Sequence, residues 1–146
     1  SITWVDDLPV VNTTLLKLLR KATPDSHNLH FLPRLFRDIE DRDFGIALLK
    51  ATVKNIDTYD DEIAKKTQNW DKDRITQMDL VLLQMAICEL QEFDSIPVKV
   101  TINEYLEIAK EYSTPKSSVF INGILDKIVK EYSDKGTLNK RGRGLL

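Results

Sequence analysis

The chain has 146 residues, room for one ordinary domain with a core of its own and too little for two well-packed ones. With 42% apolar and 30% charged residues it is not a disordered polyelectrolyte, and no apolar run approaches the ~20 residues of a membrane span. The net charge of -2 hides an asymmetry: the last eleven residues hold Lys140, Arg141 and Arg143 and no acid, so residues 1–135 carry 18 basic and 23 acidic groups, and the body as a whole does not attract polyanions.

The chain opens on Ser1 with no leader-like stretch, which reads as a fragment of a longer protein. Residues 7–22 set Leu8, Val11, Leu15, Leu18, Leu19 and Ala22 at helical spacing, with Lys17, Arg20 and Lys21 late, where cations suit the dipole. Pro24 ends that helix, and residues 24–33 read as a proline-bounded loop. Arg34 to Tyr59 suggests a short helix, an acidic junction and a longer helix. Asp60 or Asp61 then caps a helix running through Ile63 toward Trp70.

Thr76 and Asp79 form a capping box ahead of Leu80–Leu90, a stretch apolar nearly all round and broken only by Gln84 and Glu89. A helix of that kind is buried on most sides and belongs at the centre of the domain. Residues 98–112 give an amphipathic helix with Val98, Ile102, Leu106 and Ala109 on one stripe. Thr114-Pro115 reads as a cap followed by proline at the first helical position. The last helix runs to about Tyr132 with Val119, Phe120, Ile124, Leu125 and Ile128 inward, and residues 133–146 read as a frayed basic tail. Only two glycines occur before residue 136, too few for a β-sandwich or a doubly wound sheet. The predicted fold is an all-α bundle of six or seven helices, divided into an N-terminal helix and loop (1–33), a helical domain (34–132) and the tail.

Chemistry is sparse. His27 and His30 sit three apart but in the loop, with Asp25 the only close carboxylate, and they read as ordinary loop histidines rather than metal ligands. Asp38, Glu40, Asp41 and Asp43 fit the first turn of a helix. Cys88 lies in the most apolar helix, where a thiol behaves as a small hydrophobe, and being single it forms no intramolecular disulfide. No phosphate-cradling glycine loop or nucleophile elbow occurs, so neither catalysis nor a cofactor is expected.

One segment breaks local rules. Phe120-Ile121-Asn122-Gly123 embeds an Asn-Gly pair, ordinarily a hairpin signal, in a helical pattern. Glycine there costs ~1 kcal/mol relative to alanine, and close approach to the 76–92 helix would offset it. Asn122 is harder to explain, because its amide needs hydrogen-bond partners that an apolar core does not supply. Lys99 and Asn103, four apart on one face, form a second polar pair; a solvated helix start explains them as well as a binding site does.

These residues carry a resemblance. Ile96-Pro97-Val98-Lys99-Val100, Ile102-Asn103-Glu104, Glu107-Ile108-Ala109-Lys110 and Phe120 to Lys127, in that order and spacing, resemble the signature stretch of the NusB family of bacterial transcription antitermination factors. The likeness extends back through Asp79–Leu90 and more faintly to Phe44. It implies a helical fold of two packed three-helix units, no enzymatic activity and a cytoplasmic protein. It also implies a partner, NusE (a ribosomal protein with a second role in antitermination), boxA RNA as ligand, and work within the RNA polymerase antitermination complex. By the same resemblance Lys99, Asn103, Phe120 and Asn122 become RNA-side candidates, with Lys99 on phosphate, Phe120 as a stacking face and Asn122 on a base edge. Asp79 and the loop residue Lys116 become NusE-side candidates.

The sequence departs from the family in three places. The usual arginine-rich N-terminal helix is missing, as in the C-terminal portion of an extended variant. Lys116 stands where relatives often carry an acid, and Gln84 where they often carry arginine. Two other functions fit the pattern less closely: the NusB-like RNA-binding domain of an RNA cytosine methyltransferase, and a helical adaptor that docks proteins on its acidic body.

Overall fold

A computed structural model of the chain describes residues 7–26, 36–68, 75–138 and 140. His27, His30 and Trp70 lie outside the described residues. Six helices, and no strand, occur among the described residues: α1 (Asp7–Lys21), α2 (Ile39–Lys54), α3 (Ile56–Lys66), α4 (Gln77–Glu92), α5 (Val98–Tyr112) and α6 (Ser117–Asp134). The fold is all-α, as the glycine count and the periodicities require. The chain divides into two compact units, residues 1–43 and 44–146, with the division inside α2.

In the first unit α1 closes on a tight turn in which Thr23 N–H donates to Ser26 Oγ at 2.8 Å. The acidic junction does not interrupt α2. Asp38 caps it instead, its Oδ1 accepting from Asp41 N–H at 2.8 Å, while Glu40 and Asp41 occupy the first turn, where the dipole favours negative charge. That bond and the Arg37 guanidinium hold the Asp38 carboxyl below the usual carboxylate range.

In the second unit α4 is the central element. Leu83, Ala86, Ile87 and Cys88 are wholly buried, and burying side chains of the Leu and Ile type stabilises by about 1.5–3 kcal/mol each. The capping box forms with both of its bonds. α5 and α6 pack on α4 and on each other, joined by a short turn that makes them antiparallel; α3 packs on α4 and α6. Phe44 meets Phe93 edge to face with ring centroids 5.1 Å apart.

Three local expectations are corrected. The break before α3 falls at Asn55 rather than at Asp60 or Asp61, both of which lie inside the helix. Asn55 turns its side chain onto the Ala51 carbonyl at 3.1 Å, the local competition that makes asparagine a helix interrupter. The regular part of α6 begins at Ser117, with Thr114 N–H and Oγ1 both bonded to Ser117 Oγ through an intervening tight turn. Residues 133–138 are not frayed: α6 continues to Asp134, Gly136 takes the left-handed conformation (φ 65°) that ends a helix, and Thr137 N–H reaches the Tyr132 carbonyl at 2.9 Å. Leu138 packs on the core, and Lys140 Nζ donates to the carbonyls of Phe93 at 2.8 Å and Glu89 at 3.2 Å.

Candidate nucleic-acid interface

The RNA-side candidates lie on α5 and α6. Pro97 is the N-cap of α5, already in extended conformation, and it sets Lys99 in the first turn. Lys99 and, one turn on, Asn103 are both exposed. A lysine at a helix N-terminus opposes the dipole, and no acid stands in that turn to offset it, so helix stability gives no reason for Lys99.

On α6 the candidates separate. Asn122 is half-buried, and its Nδ2 donates to Asp126 Oδ2 at 3.1 Å one turn further along, which supplies the partner its amide needs. Phe120 is 7% exposed and belongs to the core cluster with Ile121 and Ile124. Its ring is committed to packing and offers no free stacking face. Gly123 is corrected too: a Cβ built there meets nothing within 4 Å, so the glycine is not the site of a close helix–helix approach.

The NusE-side candidates lie where α5 turns into α6. Lys116 is exposed at the N-cap of α6. Asp79 is 1% exposed, and its carboxylate accepts from Thr76 N–H at 3.2 Å and from Ser113 Oγ–H at 2.6 Å. Ser113 Oγ also stands 2.9 Å from Ser117 Oγ and 3.1 Å from Thr76 Oγ1. Asp79 therefore ties α4 to the α5–α6 turn from inside; it shapes the surface on which Lys116 stands rather than forming it. Gln84 is buried and donates to Asp60 Oδ1 at 2.6 Å, a neutral tie between α4 and α3.

Sequence reasoning missed a second polar cluster. Glu89, only 6% exposed, accepts from Thr101 Oγ1 at 2.7 Å and from Tyr105 Oη at 3.2 Å. Burial, with Glu89 beside it, pushes the Tyr105 phenol well above its usual range. Burial lowers the Lys140 ammonium, opposed by Glu89 and Asp94. The available signal was Glu89 itself, a lone acid in an apolar helix. Among the described residues no three His, Cys, Asp or Glu side chains converge as metal ligands, and no helix is long and apolar enough to cross a membrane.

The sequence matches the NusB family model over residues 13–130, which takes in both polar clusters and every candidate above. The chain belongs to the NusB family. It is 45% identical over 120 residues to the transcription antitermination protein NusB of Salinibacter ruber, covering 81% of this chain and 75% of the relative. To the NusB of Chloroherpeton thalassium it is 46% identical over 129 residues, 88% of this chain and 61% of that one. A third NusB, from Natranaerobius thermophilus, is 43% identical over 84 residues, 58% of this chain and 60% of its own length. The chain thus spans three quarters of the first relative and about three fifths of the other two. Among solved structures, NusB of T. maritima superposes with a TM-score of 0.64 at 30% identity, covering 89% of this chain and 92% of that chain. NusB proteins are not enzymes, and membership carries that conclusion to this chain.

Proposed function

We propose that this chain acts in transcription antitermination by binding RNA together with NusE, recognising boxA RNA of ribosomal RNA operons within the cytoplasmic RNA polymerase antitermination complex. The observation that carries the reading is the position of Lys99. It is an exposed cation at a helix N-terminus where helix energetics disfavours it, inside the stretch that matches the family. In this reading Lys99 neutralises phosphate, Asn103 adds a polar contact one turn on, and Asn122 exchanges its bond with Asp126 for a base edge. Phe120 supports that face from beneath. Lys116 meets NusE, and Asp79 holds the turn that presents it.

The test is fluorescence anisotropy of a labelled boxA-type RNA titrated with the chain, with and without NusE, at two salt concentrations. Binding that NusE tightens and salt weakens is the expected result. Lys99→Ala should weaken it at low salt more than at high salt, and Asn122→Ala should weaken it at both, with the helical circular dichroism of each variant unchanged. Affinities untouched by both substitutions, or no binding even with NusE, would overturn the reading.

A further inference from the structure

Glu89 presents a problem that stability does not solve. It is a buried carboxylate in α4, the most apolar of the helices, and no ion pair to it occurs among the described residues. Lys140, whose charge it feels, gives its bonds to main-chain carbonyls instead. Taking a carboxylate out of water is costly, and a well-packed apolar side chain of similar volume commonly serves stability as well or better. The benefit of Glu89 therefore lies in what its bonds fix.

Its carboxylate bonds go to one helix. Oε1 accepts from Thr101 Oγ1 at 2.7 Å and Oε2 from Tyr105 Oη at 3.2 Å, so the two oxygens of one side chain grip α5 at points one turn apart. Burial and the carboxylate beside it keep the Tyr105 phenol protonated, as a donor. The other buried residues of α5 are Val98 and Ala109, and apolar contacts of that sort have no preferred direction. Hydrogen bonds do, and two of them to one carboxylate fix both the rotation of α5 about its axis and its position along it.

Lys99 stands two residues before Thr101, and Asn103 two before Tyr105. Residues two apart on a helix point to nearly opposite sides, so the tied pair and the exposed pair sit back to back. Rotating α5 by about 20° swings a side-chain end ~6 Å from the axis through roughly 2 Å, more than a positioned contact tolerates. We propose that Glu89 is a positioning residue for nucleic-acid binding: from inside the core it sets the rotation of α5 and thereby aims Lys99 and Asn103. The proposal rests on the RNA-binding reading and deepens it with a residue that touches no RNA.

The test is the anisotropy titration of a boxA-type RNA with the full chain at saturating NusE. The triple variant Glu89→Met, Thr101→Val, Tyr105→Phe replaces the polar set by apolar groups of similar size, and its urea midpoint stays at or above that of the parent. Its RNA affinity falls about tenfold, although the lost negative charge by itself favours RNA. Adding Lys99→Ala to the triple variant then costs little more, because the contact it removes is already out of place. Glu89→Gln, which accepts from one hydroxyl and donates to the other, keeps the affinity of the parent. Tyr105→Phe alone breaks one tie and lowers affinity about threefold with folding intact, a readout that stands even where the triple variant does not fold. A stable triple variant with parental RNA affinity, or an undiminished effect of Lys99→Ala within it, would overturn the proposal and leave the RNA reading intact. Parental affinity in Tyr105→Phe would do the same. NusE affinity falling together with RNA affinity would assign the set to the fold at large and overturn the aiming role. No RNA binding by the parent chain would remove both readings together.

Discussion

The two ends of α4 are closed by different means. At its N-terminus Thr76 and Asp79 exchange bonds within one turn, and hydroxyls from the α5–α6 connection complete a buried set in which Ser113 bridges to Asp79 and Ser117. At its C-terminus no basic residue occupies the last turn, and the carbonyls of Glu89 and Phe93, which already accept from Phe93 N–H and Ile96 N–H, also accept from Lys140, which arrives from beyond α6. The first end is self-sufficient once the helices pack, because each carboxylate oxygen of Asp79 has a donor from a short side chain or the backbone. The second depends on one long, flexible side chain. A helix can thus present one rigid and one adjustable end, and the candidate surfaces divide accordingly: Lys116 stands near the rigid end, while Lys99 follows the connection at the adjustable one.

This contrast can be tested by substitution. Asp79→Ala should have the largest effect, a loss of about 2–3 kcal/mol in urea unfolding, because it removes an N-cap partner and leaves the Ser113 hydroxyl and the Thr76 N–H without their acceptor. A loss below about 1 kcal/mol would show that the two ends do not differ in the way described. Lys140→Met should cost roughly 0.5 kcal/mol, since both carbonyls keep their backbone N–H donors and the charge interacts only with the last turn. If its cost matched that of Asp79→Ala, the adjustable end would prove as rigid as the other.

The smallest effect is expected at Asp38, which caps α2 in the way Thr76 caps α4 but in full solvent. Its carboxyl lies below the usual range in the folded chain, so the contribution it makes is fully present above the unfolded value near 3.8 and disappears as pH falls through the lower folded value. An NMR titration of the Asp38 carboxyl should show the depressed midpoint, and the Asp41 amide should lose its hydrogen bond over the same range. A midpoint at the ordinary value would remove the cap.

Much of this was legible in the residues. The capping box and the apolar run after it located α4 and its burial, because a helix surrounded on all sides needs no polar stripe and Leu80–Leu90 has none. The limits of α5, residues 98–112, were readable from the stripe of Val98, Ile102, Leu106 and Ala109 and from the proline that precedes it. The break at Asn55 was not, since a lone asparagine is tolerated inside helices and only the position of buried Tyr59 shows why the chain turns there. The resemblance faded toward Phe44, whereas the family match reaches back to Thr13. Of the candidate site, Lys99, Asn103 and Lys116 are at the surface where a binding role requires them. Phe120 and Asp79 are not, because one amphipathic pattern serves a stacking ring and a core ring alike, and a carboxylate at a helix start serves a cap as well as a contact. Glu89 and Lys140 lie 51 residues apart, and no local pattern relates such a pair.

The same separation bears on how firmly that end of α4 is held. The bond from Lys140 to the end of α4 closes a loop that contains all of α5 and α6, so the entropy of ordering that whole stretch stands against it. Held by one flexible side chain, it should be among the first contacts to open in local unfolding, and hydrogen exchange should then show lower amide protection at the end of α4 than at its start. The chain therefore has a seam held by a single side chain, next to the connection that leads into Lys99.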